Sequence, residues 1–270
     1  MPSGKIAVAG GSGLVGRALL ESLREAGYEA FAWKRPYQER DLDGVSAIIN
    51  LAGENISSGR WTRKRRKSLL ASRVNTLESI RSLVSQRPGQ IKTLISASAS
   101  GYYGTKTSAQ IFSEEAPPGT DFLAGVCVEW ERSARQFEDL GIRVGIVRIG
   151  VVFSEEGGAL PRLKLPLTFG ISAPIGSGNQ WLPWIRLEDL VQVFIHLLKN
   201  DHLSGPFNAA APIPLTNRQL MKWLATRYRR LYIPIGVPGF ILRLILGEMS
   251  VIILEGSRLS PGKLIDPKTS

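Results

Sequence analysis

The feature that most constrains this chain is a glycine-rich turn between its first apolar run and its first helical pattern. The run Lys5–Ala9 has the length of a buried strand, and Gly10, Gly13 and Gly16 follow it. From Leu14 onward, apolar residues recur at helical spacing, which indicates a helix that covers a sheet. In a strand–turn–helix unit, such glycines allow a tight turn and close approach of the backbone to a pyrophosphate at the helix N-terminus. The spacing therefore predicts a dinucleotide site rather than a purely structural turn.

Strands and helices alternate through the first half of the sequence. Gly27 is predicted to end the first helix. Beyond the first unit the pattern predicts strands at 28–33, 45–50, 91–97 and 144–149, and helices at 61–85 and 123–140. This alternation is typical of an α/β protein with a Rossmann-type doubly wound parallel sheet.

The pattern becomes looser after residue 150, where glycines and prolines interrupt short elements. Two longer helices are predicted there, at 187–199 and 217–228. We therefore expect a nucleotide-binding domain at 1–150 and a smaller C-terminal α/β lobe at 151–270 that covers a substrate. The boundary is not sharp, and later segments can return to the sheet.

Composition excludes disordered, collagen-like and low-complexity proteins. With 43% hydrophobic and 21% charged residues the chain has ordinary globular usage. A single cysteine, Cys127, cannot form an internal disulfide or a multi-cysteine metal site, and His196 and His202 lack a metal-binding spacing, so no metal is expected. The N-terminus leads directly into a strand without a signal-peptide pattern, which predicts a cytoplasmic protein. The apolar stretch 236–254 is interrupted by charges and proline, so no membrane span is expected.

The chain is basic, with 34 Lys and Arg against 23 Asp and Glu and a formal net charge of +11. Much of the excess lies at 60–67, at the start of a predicted helix. Either this cluster is a solvated helix face, which we favour, or it meets an anionic partner. Nucleic acid is an unfavoured partner.

Cofactor preference is determined after the second predicted strand, where an acidic residue would bind a ribose hydroxyl and repel a 2′-phosphate. Lys34 and Arg35 stand at this turn instead. Two cations suit a 2′-phosphate, so NADP(H) is favoured over NAD(H), although both residues also fit an exposed surface loop. Arg73 can add to the same environment, and small residues at 50–53 end the third strand where such sheets bind ligands.

Several further motifs occur in a fixed order along nearly the whole chain. They are residues 10–16, 50–56 (NLAGENI), Arg60-Trp61 with Ser72-Arg73, 96–104 (SASASGYYG), Trp130-Glu131, 147–152, 174–178, 183–185, Phe207-Asn208 and 254–256. Together they resemble the extended and atypical short-chain dehydrogenase/reductases, and more narrowly the NADP-binding "epimerase family protein" group, which is nucleoside-diphosphate-sugar epimerase-like.

The resemblance implies a doubly wound domain that binds NADP(H) and a lobe that closes over a substrate. It implies cofactor contacts from Gly10, Ser12, Gly13, Leu14, Val15 and Gly16 through the backbone, from Lys34 and Arg35 at the 2′-phosphate, and from Leu51, Ala52 and Arg73 nearby. The wider superfamily transfers hydride with a Ser or Thr and a Tyr-x-x-x-Lys pair, in which the lysine lowers the tyrosine pKa.

This sequence departs from that catalytic set. It contains no Tyr-x-x-x-Lys, and Leu123 and Cys127 stand at the two positions. Ser98, Tyr102 and Tyr103 remain as catalytic candidates, because they lie near the carboxyl end of a predicted strand; the tyrosines equally suit a pocket wall. For Cys127, between two valines, a packed thiol is favoured over a nucleophile.

The loop 176–184 combines glycines, amides and tryptophans. Gln180, Trp181 and Trp184 are substrate candidates in a lid, or else they fill a core between the lobes. Arg148 either neutralises an anion or pairs internally. The apolar region 239–254 suggests a homodimer.

The predicted function is that of an NADP(H)-dependent oxidoreductase or sugar-nucleotide-epimerase-like enzyme of unknown substrate. The alternative is a non-catalytic NADP(H)-binding or redox-sensing protein that acts through a partner.

Overall fold

A computed structural model describes residues 4–265. The first three residues of the predicted domain 1–150 and the last five of the predicted lobe 151–270 lie outside the described residues. The strands are β1 Lys5–Ala9, β2 Ala30–Trp33, β3 Val45–Asn50, β4 Thr93–Ala99, β5 Ile111–Phe112, β6 Arg143–Ile149, β7 Val151–Ser154, β8 Gly157–Gly158, β9 Ile171–Ser172, β10 Trp181–Leu182, β11 Trp184–Arg186, β12 Gly205–Ala209, β13 Leu215–Thr216, β14 Leu231–Tyr232 and β15 Arg258–Leu259. The helices are α1 Leu14–Glu25, α2 Arg63–Val84, α3 Phe122–Arg135, α4 Leu160–Lys164, α5 Leu187–Lys199, α6 Asn217–Arg227, α7 Gly239–Leu246, α8 Val251–Leu254 and α9 Gly262–Ile265.

A six-stranded sheet in the order β12-β6-β4-β3-β1-β2 forms the centre of the molecule. Each neighbouring pair is parallel. The chain moves outward from β1 to β2 and then crosses back to β3 on the other side of β1. The order therefore reverses beside β1, and in such sheets the carboxyl ends of the strands leave a crevice for a ligand at this point. The predicted α/β fold with a doubly wound parallel sheet is confirmed.

Helices cover both faces of the sheet because each presents one apolar stripe. On one face α1 and α5 bury Leu19, Leu23 and Phe194 against the strands. On the other face α2 and α3 bury Leu77 and Trp130. These two layers hold the carboxyl edge of the sheet in place.

Local signals account for the boundaries of two helices on one face of the sheet. Helix α5 spans the predicted residues 187–199, and α1 ends in a Schellman turn in which Gly27 has φ +82° and the amide of Tyr28 donates to the carbonyl of Leu23. This turn delays the start of β2 to Ala30, two residues later than predicted. The helix predicted to reach residue 140 ends at Arg135, before a separate turn.

The segment after residue 150 contributes both to the sheet and to a second group of elements. Strand β12 returns to pair with β6, and α5 packs under the sheet. Around them, β10 pairs with β13 and β9 pairs with β14, over a small core that includes Leu182 and Leu224. A division at residue 150 stays a prediction, and residues 187–209 lie on the sheet side of it.

Candidate functional site

The glycine loop runs along the carboxyl edge of the sheet at the start of α1. Gly10 has φ +82°, and a Cβ there would lie 2.7 Å from the carbonyl carbon of Leu51. A Cβ on Gly16 would lie 2.4 Å from the carbonyl oxygen of Gly10, so only glycine allows the helix to pack this closely on the loop. Ser12 and Gly13 are exposed, and Gly13 is the N-cap residue, so no side chain caps the first amides of α1. These amides can bind a phosphate.

Lys34 and Arg35 are exposed where β2 ends, beside the glycine loop. The contact between the two segments is close, because a Cβ on Gly11 would lie 2.8 Å from the Cβ of Ala32. Among the acidic residues that follow this turn, Asp41 accepts a hydrogen bond from the indole of Trp33 at 3.0 Å. The turn thus presents two exposed cations beside the glycine loop.

The end of β3 is held by buried polar contacts. The side-chain amide of Asn50 donates through Nδ2 to Ser96 Oγ at 3.2 Å. Its Oδ1 accepts from the backbone N–H of Ala52, also at 3.2 Å. Arg73 is 8% exposed and donates to the carbonyls of Leu69 at 2.8 Å and Glu54 at 3.0 Å. Burial lowers the pKa of its guanidinium. Arg73 therefore fixes the chain that follows Leu51 and adds a buried positive charge beneath it.

The positions of the missing proton relay face the end of β4. A Cβ on Gly101 would lie 3.4 Å from Leu123 Cβ and 3.8 Å from Cys127 Sγ, which places both α3 residues on one face. The Cys127 thiol contacts the carbonyl of Ala99 at 3.8 Å, and burial raises its pKa to about 12. Leucine carries no ionisable group, and a buried thiol with so high a pKa is a poor proton donor at neutral pH. The packed-thiol interpretation of Cys127 agrees with this environment.

Ser98 and Tyr103 lie in a buried polar network rather than in an open site. Arg148 and Glu131 are 2% and 4% exposed and are joined by two hydrogen bonds of 2.9 Å. Ser98 donates to Glu131 at 2.8 Å, and the hydroxyl of Tyr103 donates to Asn208 Oδ1 at 2.7 Å. Sequence reasoning identified Arg148 but left its role open, and it missed Glu131 and Asn208 as partners, although both stood in its motifs.

The three catalytic candidates differ in how far this network buries them. Burial raises the pKa of Tyr103 to about 12, even though Arg148 donates to its hydroxyl at 2.8 Å. Ser98 and Tyr103 are 2% and 5% exposed, and both hydroxyls donate within the network. A catalytic role for either residue stays a prediction. Tyr102 is half-buried, and its ring centroid lies 3.4 Å from the guanidinium carbon of Arg148. Of the three candidates, Tyr102 alone retains solvent access.

The loop proposed as a substrate lid is tied into the fold. Gln180 is fully buried and donates to the carbonyls of Ile175 and Ile253, each at 2.9 Å, so its amide joins two backbone segments. A substrate contact from Gln180 stays a prediction. The indole N–H of Trp181 donates to the carbonyl of Ser108 at 3.0 Å. Trp184 stacks on Phe153 with 5.7 Å between the ring centroids. Both tryptophans are half-buried and stay substrate candidates.

A cleft of about 500 Å³ opens between the N-terminus of α3 and the segment 243–255. Its apolar lining includes Trp61, Phe122, Leu123, Val251 and Leu254, and its charged lining comprises Arg66, Asp121, Arg243, Glu248 and Glu255. Arg66 pairs with Glu248, and Asp121 caps α3 by accepting from the amide of Ala124 at 3.0 Å. Leu123, at the relay position, thus forms part of the wall. This cleft could not be predicted from local patterns, because its lining comes from distant segments of the chain.

Within 4–265, no helix is both long and apolar enough to cross a bilayer. In that same part of the chain, no three His, Cys, Asp or Glu side chains form a group able to hold a metal ion.

A doubly wound parallel sheet with an open glycine loop at its switch point defines a Rossmann-type nucleotide-binding protein. Sequence comparison narrows this class: residues 6–210 match the NAD dependent epimerase/dehydratase family, and residues 237–266 match a domain of unknown function, DUF1731. The chain belongs to the NAD dependent epimerase/dehydratase family. The resemblance carried by the ordered motifs is confirmed.

Individual relatives support this assignment. "Epimerase family protein YfhF" of Bacillus subtilis is 35% identical over 280 residues, covering 96% of this chain and 91% of the relative. The human epimerase family protein SDR39U1, solved with NADPH, has a TM-score of 0.86 at 30% identity, covering 95% of this chain and 91% of that one. A nucleoside-diphosphate sugar epimerase from Corynebacterium glutamicum has a TM-score of 0.79 at 32% identity, covering 97% of this chain and 54% of that one.

Proposed function

We propose that this protein binds NADP(H) in preference to NAD(H) and is an oxidoreductase acting on a compound bound in the cleft at Leu123. The exposed cations Lys34 and Arg35 beside the open glycine loop are the observation that carries the cofactor preference. The human relative solved with NADPH supports the same choice.

In this proposal one region of the chain binds the cofactor and a second region binds the substrate. Gly10, Ser12, Gly13, Leu14, Val15 and Gly16 form the turn that would hold the pyrophosphate, while Leu51 and Ala52 border it at the end of β3. When bound, the nicotinamide supplies a hydride donor or acceptor. Trp61, Phe122 and Leu123 would exclude water from a ligand in the cleft.

Proton transfer distinguishes this protein from relatives that use a tyrosine–lysine relay. Leu123 has no ionisable group and the buried Cys127 thiol is a poor acid, so the reaction we propose takes its proton from solvent or from Tyr102. A non-catalytic NADP(H)-binding protein is the second candidate function, and the same two residues favour it. In that case cofactor occupancy would be reported to a partner.

Calorimetric titration with NADPH and NADH tests the cofactor proposal. We expect tight NADPH binding, weaker NADH binding, and loss of the NADPH preference in Lys34→Ala/Arg35→Ala. Lys92→Ala/Lys199→Ala removes two exposed cations elsewhere and should leave the preference intact. Equal affinity for the two nucleotides in the unmodified protein would contradict the assignment.

Turnover separates the two candidate functions. NADPH oxidation is followed with sugar nucleotides, ketones and quinones as acceptors, in the unmodified protein and in Tyr102→Phe. Turnover with any acceptor supports the oxidoreductase, and a slower rate in Tyr102→Phe assigns the proton to that residue. Tight NADPH binding without turnover across all three classes favours the binding protein.

A further inference from the structure

The second half of the chain carries an exposed apolar surface that the proposed function does not use. Helix α7 has the sequence GFILRLIL, and none of its side chains is buried. Phe240 and Leu244 are 69% and 76% exposed. The extended segment before the helix adds Ile235 and Val237, and the helix end adds Ile245. We refer to these five exposed side chains as the α7 face.

The α7 face is anchored to the fold. Val237 forms a bridge with Ile175, and its amide donates to the carbonyl of Pro174 at 2.8 Å. The inward side of the helix packs through Leu246 against a cluster that contains Trp61 and Met249. The outward apolar side chains are therefore held toward solvent by contacts on the opposite side.

The sequence that precedes the α7 face, and the helix itself, carry only basic charges, and the first acidic residue after them is Glu248, which pairs with Arg66. No acidic residue occurs between Asp201 and Glu248, whereas six basic residues do: Arg218, Lys222, Arg227, Arg229, Arg230 and Arg243. All three arginines at 227–230 are exposed, just before the strand β14 that leads into the α7 face. Arg243 lies on the helix itself and is also exposed.

A second basic group reaches the same surface from a distant part of the chain. Arg60 donates to the carbonyls of Leu244 at 2.5 Å and Ile245 at 2.9 Å, so it joins the end of α7. Arg63, Lys64 and Lys67 follow at the start of α2 and are exposed. The basic cluster noted in the sequence thus lies at one end of the α7 face.

We propose that the α7 face docks on an anionic lipid surface, with its apolar side chains in the headgroup region and the flanking cations on lipid phosphates. An apolar helix bordered by Lys and Arg is suited to lie in a membrane interface without crossing it. A second copy of the chain would bring two basic surfaces together, because the same surface is used on both subunits of a symmetric contact. The mainly aliphatic face is also unsuited to the base stacking that single-stranded nucleic acid requires.

The test is sedimentation of the purified full chain with phospholipid vesicles. Vesicles of phosphatidylcholine alone are compared with vesicles that also contain phosphatidylglycerol. We expect binding to the anionic vesicles and weakening at high salt, since each basic side chain near such a surface contributes about fivefold. Equal binding to both vesicle types, or binding to neither, would overturn the proposal.

Matched variants locate the contact. Leu244→Glu places a negative charge on the α7 face and should reduce the bound fraction about tenfold or more, by losing apolar burial and gaining repulsion. Ile111→Glu changes a side chain that is 52% exposed on β5, and should bind as the unmodified chain does. Equal thermal unfolding of the two variants shows that both fold.

Two other results would assign the surface to a different occupant. A concentration-dependent dimer in solution that Leu244→Glu dissolves would overturn the lipid assignment in favour of a second copy. Salt-sensitive binding of RNA or DNA lost in the same variant would overturn it in favour of nucleic acid.

Discussion

Replacing Glu131 by Gln removes the negative charge that compensates Arg148 in the interior. The two residues are 4% and 2% exposed and share two charge-assisted hydrogen bonds of 2.9 Å. The variant keeps the shape of the side chain but leaves a guanidinium buried without a counter-charge. Breaking a buried pair from one side costs about 3–5 kcal/mol, a large share of the roughly 5–15 kcal/mol that stabilises a typical fold.

The same helix supplies the control. Glu129 pairs with Arg132 at 2.8 Å, but their side chains are 39% and 66% exposed. Glu129→Gln should change the free energy of unfolding by about 1 kcal/mol or less, because water screens such a pair.

Urea denaturation at neutral pH, followed by circular dichroism, measures both variants. The double variant Glu131→Gln/Arg148→Met, which removes both charges, should recover part of the loss. Equal destabilisation by Glu131→Gln and Glu129→Gln would refute the reasoning, since burial would then make no difference.

Three further predictions concern single residues. Gly16→Ala should destabilise the fold by about 1–3 kcal/mol and weaken NADPH binding, because the added Cβ would lie 2.4 Å from the Gly10 carbonyl oxygen. Calorimetry and thermal melting test this. The control is Gly125→Ala, because a Cβ at Gly125 meets nothing within 4 Å. Cys127, whose thiol pKa is about 12, should resist alkylation by iodoacetamide at pH 8 until the chain is unfolded; rapid labelling of the folded protein would contradict its burial. The pKa of Tyr103 rises from 10.0 in the unfolded chain to about 12 in the fold, so its contribution to stability is complete below pH 10 and is lost between pH 10 and 12. Tyr103→Phe should therefore flatten the fall in the free energy of unfolding over that interval. An unchanged pH profile in the variant would show that another group causes the fall.

Local patterns predicted the parts of the fold that neighbouring residues determine. The ends of α5 follow from its own apolar spacing, and the turn at Gly27 follows from one glycine after a helical run. The glycine loop was also predictable, because its spacing and its position after a strand are both local.

Contacts between distant segments could not be predicted in the same way. Glu131, Arg148, Tyr103 and Asn208 come from separate elements, and nothing in a single helix or strand pattern indicates that they meet. A glutamate on an otherwise apolar helix face is a weak signal of a buried partner. Gln180 looked suited to a ligand because its loop is polar, whereas its amide is used by two carbonyls that lie 78 residues apart in sequence.

The return of β12 to the sheet makes the order of synthesis matter. Until residues 205–209 have been made, β6 is an edge strand whose outer hydrogen-bonding groups lack the partner that the finished chain provides. Open edges of this kind recruit other strands, so a nascent or truncated chain that ends near residue 150 would be prone to aggregate. The strand that completes the sheet is thus the last of its six strands to leave the ribosome, and until then the edge of the nucleotide-binding half stays open.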